Sequence, residues 1–196
     1  MSNTEKIAGF WFRQRWRMAG WSVPVILLLL PAVAMQFTDE VKWDETDFLA
    51  TGLVLAVAGG VVELASRVSR LFVYRLGVFT TVVTGVLLVW INLAVGIVGN
   101  EDHPANLLFF GVLTAAGAGA WAARFQPAGM ARALQATTVV QIWMGLMIAT
   151  GGPADGPLAD RAKPLVLVGA FALLWLFAAL LFGKAARTSE AVQRRG

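Results

Sequence analysis

The chain has 196 residues, 58% of them hydrophobic and 14% charged, with a formal net charge of +4 and no cysteine. A soluble domain runs at about 45–50% apolar and about 25% charged, so one globular core under a polar shell is excluded. The absence of cysteine removes disulfide frameworks, thiolate metal sites and cysteine nucleophiles.

The chain opens with a basic segment rich in tryptophan. At 100° per residue Ile7, Phe10, Trp11, Gln14 and Met18 share one face, with Lys6, Arg13 and Arg17 mostly away from it. That pattern predicts an interfacial amphipathic helix over residues 5–18, lying on anionic lipid. Trp11, Trp16 and Trp21 suit the headgroup level. Residues 1–34 also resemble a secretory signal ending at Ala32-Val33-Ala34. The charged region is long for a signal, and the repeat described below needs the first helix, so retention is expected.

Six uncharged stretches follow: residues 18–38, 48–62 (to 66 if Glu63 is tolerated), 76–100, 104–123, 133–154 and 164–183. Each is long enough, or nearly so, to cross roughly 30 Å of hydrocarbon at about 1.5 Å per residue. In lipid such segments must be helical, because each backbone group needs an internal partner. The expected architecture is all-α: a six-helix transmembrane domain over 20–184, with the interfacial segment 1–19 before it and a tail 185–196 after it. Pro31 is expected to kink the first helix.

Charge orients the spans. Thirteen of the sixteen basic residues fall at one set of ends: Lys6, Arg13, Arg15, Arg17, Arg67, Arg70, Arg75, Arg124, Arg132, Lys184, Arg187, Arg194 and Arg195. The other set holds Lys42, Arg161 and Lys163, with nine of the twelve acids: Asp39, Glu40, Asp44, Glu45, Asp47, Glu101, Asp102, Asp155 and Asp160. All connections are short, so the positive-inside rule applies and places both termini in the cytoplasm. This alternation also rules out a basic face for nucleic acid.

An internal repeat runs through the spans. Arg75 precedes Thr80-Thr81-Val82-Val83 as Arg132 precedes Thr137-Thr138-Val139-Val140, at an offset of 57. Asp47, Gly52, Ala56 and Gly60 recur as Asn106, Gly111, Ala115 and Gly119, at an offset of 59. The last helix keeps only Gly169 after Pro164. The pattern predicts three parallel helical hairpins, 20–68, 76–124 and 133–184. The small residues Gly52, Ala56, Gly60, Gly111, Ala115 and Gly119 are expected to let backbones approach closely, making the second and fourth helices the central ones.

Residues that carry chemistry are few. Glu63 is the one acid near a span, and Arg67 at i+4 makes it an expected ion pair. Asn92 and Gln141 lie within spans and are expected to bond neighbouring helices. Thr80, Thr81, Thr84, Thr137 and Thr138 are expected to bond their own helix backbone. Trp90, Trp143 and Trp175 are expected to fill space in the bundle. Outside, Asp47 and Asn106 are natural N-caps, while the acids around them, with Glu101 and Asp102, offer oxygen ligands without a known calcium-loop spacing. His103 is the sole histidine, so no histidine cluster exists for zinc. No phosphate loop, nucleophile elbow or HExxH is present, and no enzyme and no cofactor are expected.

The stretch 88–110, LVWINLAVGIVGNEDHPANLLFF, together with Tyr74-Arg75 and the segment 123–134, ARFQPAGMARAL, resembles small uncharacterised bacterial inner-membrane proteins. The resemblance covers roughly the middle third of the chain. It implies a multi-pass inner-membrane protein and carries no established activity. Two functions remain: a non-catalytic accessory or structural membrane subunit, with a membrane-protein partner or a second copy of itself, and a small transporter or channel for a solute or cation.

Overall fold

The computed structural model describes residues 21–38, 42–99, 103–150 and 162–194. The expected helix over 5–18 lies outside them. So do the acids Asp39, Glu40, Glu101, Asp102, Asp155 and Asp160, and the bases Lys6, Arg13, Arg15, Arg17, Arg161 and Arg195.

The described residues form six α-helices and no strand: α1 (Trp21–Ala34), α2 (Glu45–Val68), α3 (Phe72–Ala94), α4 (Phe109–Ala122), α5 (Pro127–Ala149) and α6 (Ala162–Gln193). A 3-10 turn, Pro104–Leu108, leads into α4. Four helices are long and apolar enough to cross a membrane: α2, α3, the continuous Pro104–Ala122 segment and α6. Their outward sides carry large apolar residues, such as Phe72 at 76% exposure and Trp121 at 79%. Water would penalise so much bare apolar area, whereas lipid does not. The chain is an all-α, membrane-embedded protein. Pro31 lies in the last turn of α1, where its missing N–H leaves the Leu27 carbonyl without its helical hydrogen bond.

Several helix ends have readable causes. Asp44 and Asp47 open α2 as a reciprocal cap: Asp47 N–H donates to Asp44 Oδ1 at 2.9 Å and Asp44 N–H to Asp47 Oδ2 at 3.0 Å. The expected helix over 76–100 begins four residues earlier, at Phe72, and stops at Ala94. It stops because Gly96 takes φ 71° and turns its N–H back to the Ile91 carbonyl at 3.0 Å. α5 begins six residues earlier than expected, at Pro127, whose fixed φ suits a first helical position. α6 runs ten residues beyond Gly183, to Gln193. At 32 residues it is about 48 Å long, more than the roughly 30 Å of a hydrocarbon core.

The chain divides into two compact units, Met1–Val61 and Val62–Gly196. In the first, α1 packs antiparallel on α2. Carbons of the Trp21 ring lie 3.0 Å from where a Cβ on Gly59 would stand, and Leu28 Cδ2 lies 3.7 Å from that point on Gly52.

In the second unit α6 is the central element, packed along both α5 and α3, with α4 packed on α5 and touching α3. A stripe of Val168, Phe171, Ala172, Trp175, Ala178, Ala179, Phe182 and Ala185 is buried on α6, at the i, i+3, i+4, i+7 spacing of one helix face. Glycines on the neighbours admit its bulk: a Cβ on Gly77 would come 3.2 Å from Phe182, and one on Gly145 would come 2.8 Å from Val168. In lipid such close dispersion contact holds helices together, because burial from water contributes little there.

Within the second unit the expectation that the fourth helix is central is corrected: 39% of the apolar stretch is buried in α6, against 28% in the segment holding α4. Small residues alone do not select a neighbour; the Trp175 and Phe182 rings on α6 fill the space that α3 leaves. The small-residue stripe is used unevenly. Gly119 meets Ala133 at a virtual Cβ–Cβ distance of 2.8 Å and Gly52 meets Leu28, but a Cβ on Gly60 or Gly111 meets nothing within 4 Å. Ala56 is exposed and Ala115 half-buried. α3 and α4 touch sparsely, whereas α5 and α6 pack along their length, so the hairpins 76–124 and 133–184 are not packed alike.

Candidate functional site

The most constructed polar feature lies where α3 ends and α4 begins. Asn106 organises it. Its Oδ1 accepts the N–H groups of Ile97 and Val98 at 3.0 and 2.9 Å, and its Nδ2 donates to the Val98 carbonyl at 3.2 Å. Ile97 and Val98 are almost completely buried, so their backbone polar groups need these internal partners. Gly99, with φ 63°, continues the turn beneath His103. His103 in turn caps the 3-10 segment, its Nδ1 accepting the Ala105 N–H at 3.2 Å. That bond leaves Nδ1 without a proton in the neutral ring, so Nε2 carries the hydrogen and is the donor.

Between these elements is a cavity of about 230 Å³, lined by Asn92, Leu93, His103, Pro104, Asn106, Leu107 and Phe110. Among these residues Asn92 is unlike the rest. It is 3% exposed, and neither atom of its amide has a hydrogen-bond partner. Gln141 on α5 and the Trp175 Nε1–H on α6 are in the same condition, at 0% and 1% exposure. Most buried polar atoms in proteins are paired, so five orphaned atoms on α3, α5 and α6 are unusual inside the apolar unit. Gln141 does not line the cavity.

The remaining expected residues fall elsewhere. Glu63 and Arg67 form the ion pair, Arg67 donating to Glu63 Oε1 at 3.1 Å. The threonines bond their own helices: Thr80 to Leu76, Thr81 to Gly77, Thr84 to Thr80, Thr137 to Ala133 and Thr138 to Leu134. Asn92 and Gln141, expected to bond neighbouring helices, bond none. Asp47 serves as the second partner of the α2 cap, while the Asn106 side chain holds the 97–98 turn; the equivalence the repeat assigned to them is absent at the level of contacts. Trp90 and Trp143 face outward, and of the three in-span tryptophans only Trp175 fills the interior. No group of three metal-ligating side chains occurs among the described residues.

Sequence reasoning missed one linking residue. Tyr74, buried against the Phe182 ring at a centroid distance of 5.2 Å, donates its hydroxyl to the Phe125 carbonyl at 2.7 Å. Phe125 and Arg124 take φ of 57° and 48° to turn the chain from α4 into α5 without a glycine. A lone tyrosine at the start of an otherwise apolar span was the available signal.

No protein-family model matches the chain, and neither a curated protein nor a solved structure shows detectable similarity to it.

Proposed function

We propose that the chain is a non-catalytic accessory or structural subunit of a larger assembly in a bacterial inner membrane, crossing it six times with both termini cytoplasmic. The observation that carries this reading is the absence of a buried Asp, Glu, Lys, Arg or His among the described residues. Coupled transporters and proton relays depend on intramembrane ionisable groups; here the buried polar residues are amides and threonines.

Six crossings are supported by how α5 turns its polar residues. Its hydropathy is lowered by Thr137, Thr138 and Gln141, which are buried, and by Arg132 and Gln135, which are exposed toward its N-terminal end, while Val139, Ile142, Trp143 and Leu146 face outward. From residue 136 to 149 lipid would therefore meet an apolar surface. The orientation is supported by the antiparallel packing of the second unit. Arg75, Arg124, Arg132, Lys184 and Arg187 gather at one end of it, and His103 and Lys163 at the other.

Native mass spectrometry of the protein extracted from its own membrane in mild detergent tests the assignment. A stoichiometric complex with a second membrane protein, or a defined homo-oligomer, is the expected result. A lone monomer whose reconstitution lets a small solute or cation cross liposomes would refute it. That outcome belongs to the second reading, a small transporter or channel, which the Asn92 cavity favours.

A further inference from the structure

We propose that the groove between α3 and α4 holds an anionic phospholipid, with its phosphate on Arg75 and Arg124 and an acyl chain along the groove. This goes beyond the accessory role. It rests only on the chain lying in a membrane and holds for either orientation.

The fold sets the groove. α3 and α4 touch sparsely, whereas each packs along another helix. Helical spacing puts Val82, Val86 and Leu93 in line with Arg75 on α3, and Phe110 and Gly117 in line with Trp121 on α4. At one end Leu93 and Phe110 border the same cavity. At the other, the 2.7 Å bond from the Tyr74 hydroxyl to Phe125 O ties together the residues next to Arg75 and Arg124. Between the ends Leu113 closes the floor, its Cδ2 lying 3.6 Å from where a Cβ on Gly85 would stand. Gly117 leaves the wall open, since a Cβ there would meet nothing within 4 Å.

Charge selects the head. Arg75 and Arg124 are exposed, and among the described residues neither guanidinium has an ion-pair partner. A guanidinium matches phosphate oxygens through its fork of N–H donors. A zwitterionic head would bring its own ammonium against the same two arginines, so a net anionic head is preferred. Depth selects a lipid over a soluble phosphate. The exposed Trp121 ring stands one turn nearer the bilayer interior than Arg124, and the lines running on from it and from Arg75 are apolar. Cation, then aromatic ring, then apolar wall is the order in which an amphiphile presents its own parts.

Native mass spectrometry of the purified, delipidated full chain in detergent reads the binding. The probes are phosphatidylglycerol and phosphatidylcholine with the same acyl chains. Phosphatidylglycerol is expected to bind at least fivefold more tightly. Arg75→Gln and Arg124→Gln should each reduce that preference at least threefold. Arg194→Gln, an equal loss of charge near the end of the chain, should leave it unchanged. Gly117→Trp, which fills the groove from its open side, should weaken phosphatidylglycerol at least threefold. Glycerol 3-phosphate, the soluble counterpart of the head, should not compete at the same concentration. If one variant fails to fold, the others decide. Equal binding of the two lipids, displacement by glycerol 3-phosphate, an undiminished preference in a folded arginine variant, undiminished binding in folded Gly117→Trp, or the same loss in Arg194→Gln overturns the proposal.

Discussion

Gly119 and Gly111 lie two helical turns apart on α4, and one alanine at each separates helix propensity from helix packing. A Cβ at position 119 would stand 2.8 Å from Ala133 Cβ and 3.4 Å from Ala133 Cα. Carbon pairs prefer about 3.5–4.0 Å, so α4 and α5 would have to part locally by about 0.7–1.2 Å. Neither alanine has a rotamer through which to yield. Overpacking of this kind costs about 1–3 kcal/mol. Against it stands the helix-propensity gain of Gly→Ala, up to about 1 kcal/mol. At position 111 the same Cβ meets nothing within 4 Å, so only the gain remains. Gly119→Ala is therefore expected to be less stable than Gly111→Ala by about 1–3 kcal/mol, because the shared propensity term cancels. Gly111→Ala itself should be neutral or stabilised by up to about 1 kcal/mol. Reversible unfolding in mixed micelles, titrated with a denaturing detergent, measures both. Equal stability of the two variants, or a larger loss at position 111, would show that α4 does not meet α5 as described.

Four further outcomes follow from particular contacts. Tyr74→Phe removes the hydroxyl bond to Phe125 O and keeps the ring against Phe182; a loss of about 1–2 kcal/mol is expected, and an unchanged unfolding midpoint would discount that bond. Asn106→Ala orphans two buried N–H groups and a carbonyl, so a loss on the order of 3 kcal/mol is expected, accompanied by faster amide exchange at Ile97 and Val98; protection retained at those two amides would contradict it. Gln141→Leu exchanges an orphaned buried amide for an apolar group and should be neutral or stabilising by about 1–2 kcal/mol; clear destabilisation would mean that the amide is partnered in the membrane. Because the chain has no cysteine, Thr188→Cys and Lys163→Cys each give a single reactive site. An impermeant maleimide should label position 163 on intact cells and position 188 only after permeabilisation, and the reverse pattern would invert the proposed orientation.

The position of the apolar segments was legible in the sequence because hydropathy is local and additive: twenty uncharged residues in a row remain so whatever surrounds them. Helices stand over all six stretches, and the Glu63–Arg67 pair and the five threonine back-bonds follow from i, i+4 spacing within single helices. The termination of α3 at Ala94 was less legible. The run continues apolar through Val95, Ile97 and Val98, and it ends early only because Gly96 and Gly99 adopt positive φ and Asn106, eight and nine residues on, collects the freed N–H groups.

What lay beyond the sequence was the choice of neighbours. Gly111 and Gly119 belong to the same stripe, yet one faces Ala133 and the other faces open space, since α5 crosses α4 near one end. Asn92 and Gln141 look like interhelical glue in a list of residues, and only packing reveals that nothing polar stands opposite them. Composition and charge placement alone determined that the chain is helical and at home in lipid, through free energies that each segment carries by itself. Tertiary structure decided that α6 is the centre of the second unit and that a cavity opens beside Asn92, because shape complementarity exists only between surfaces far apart in the chain.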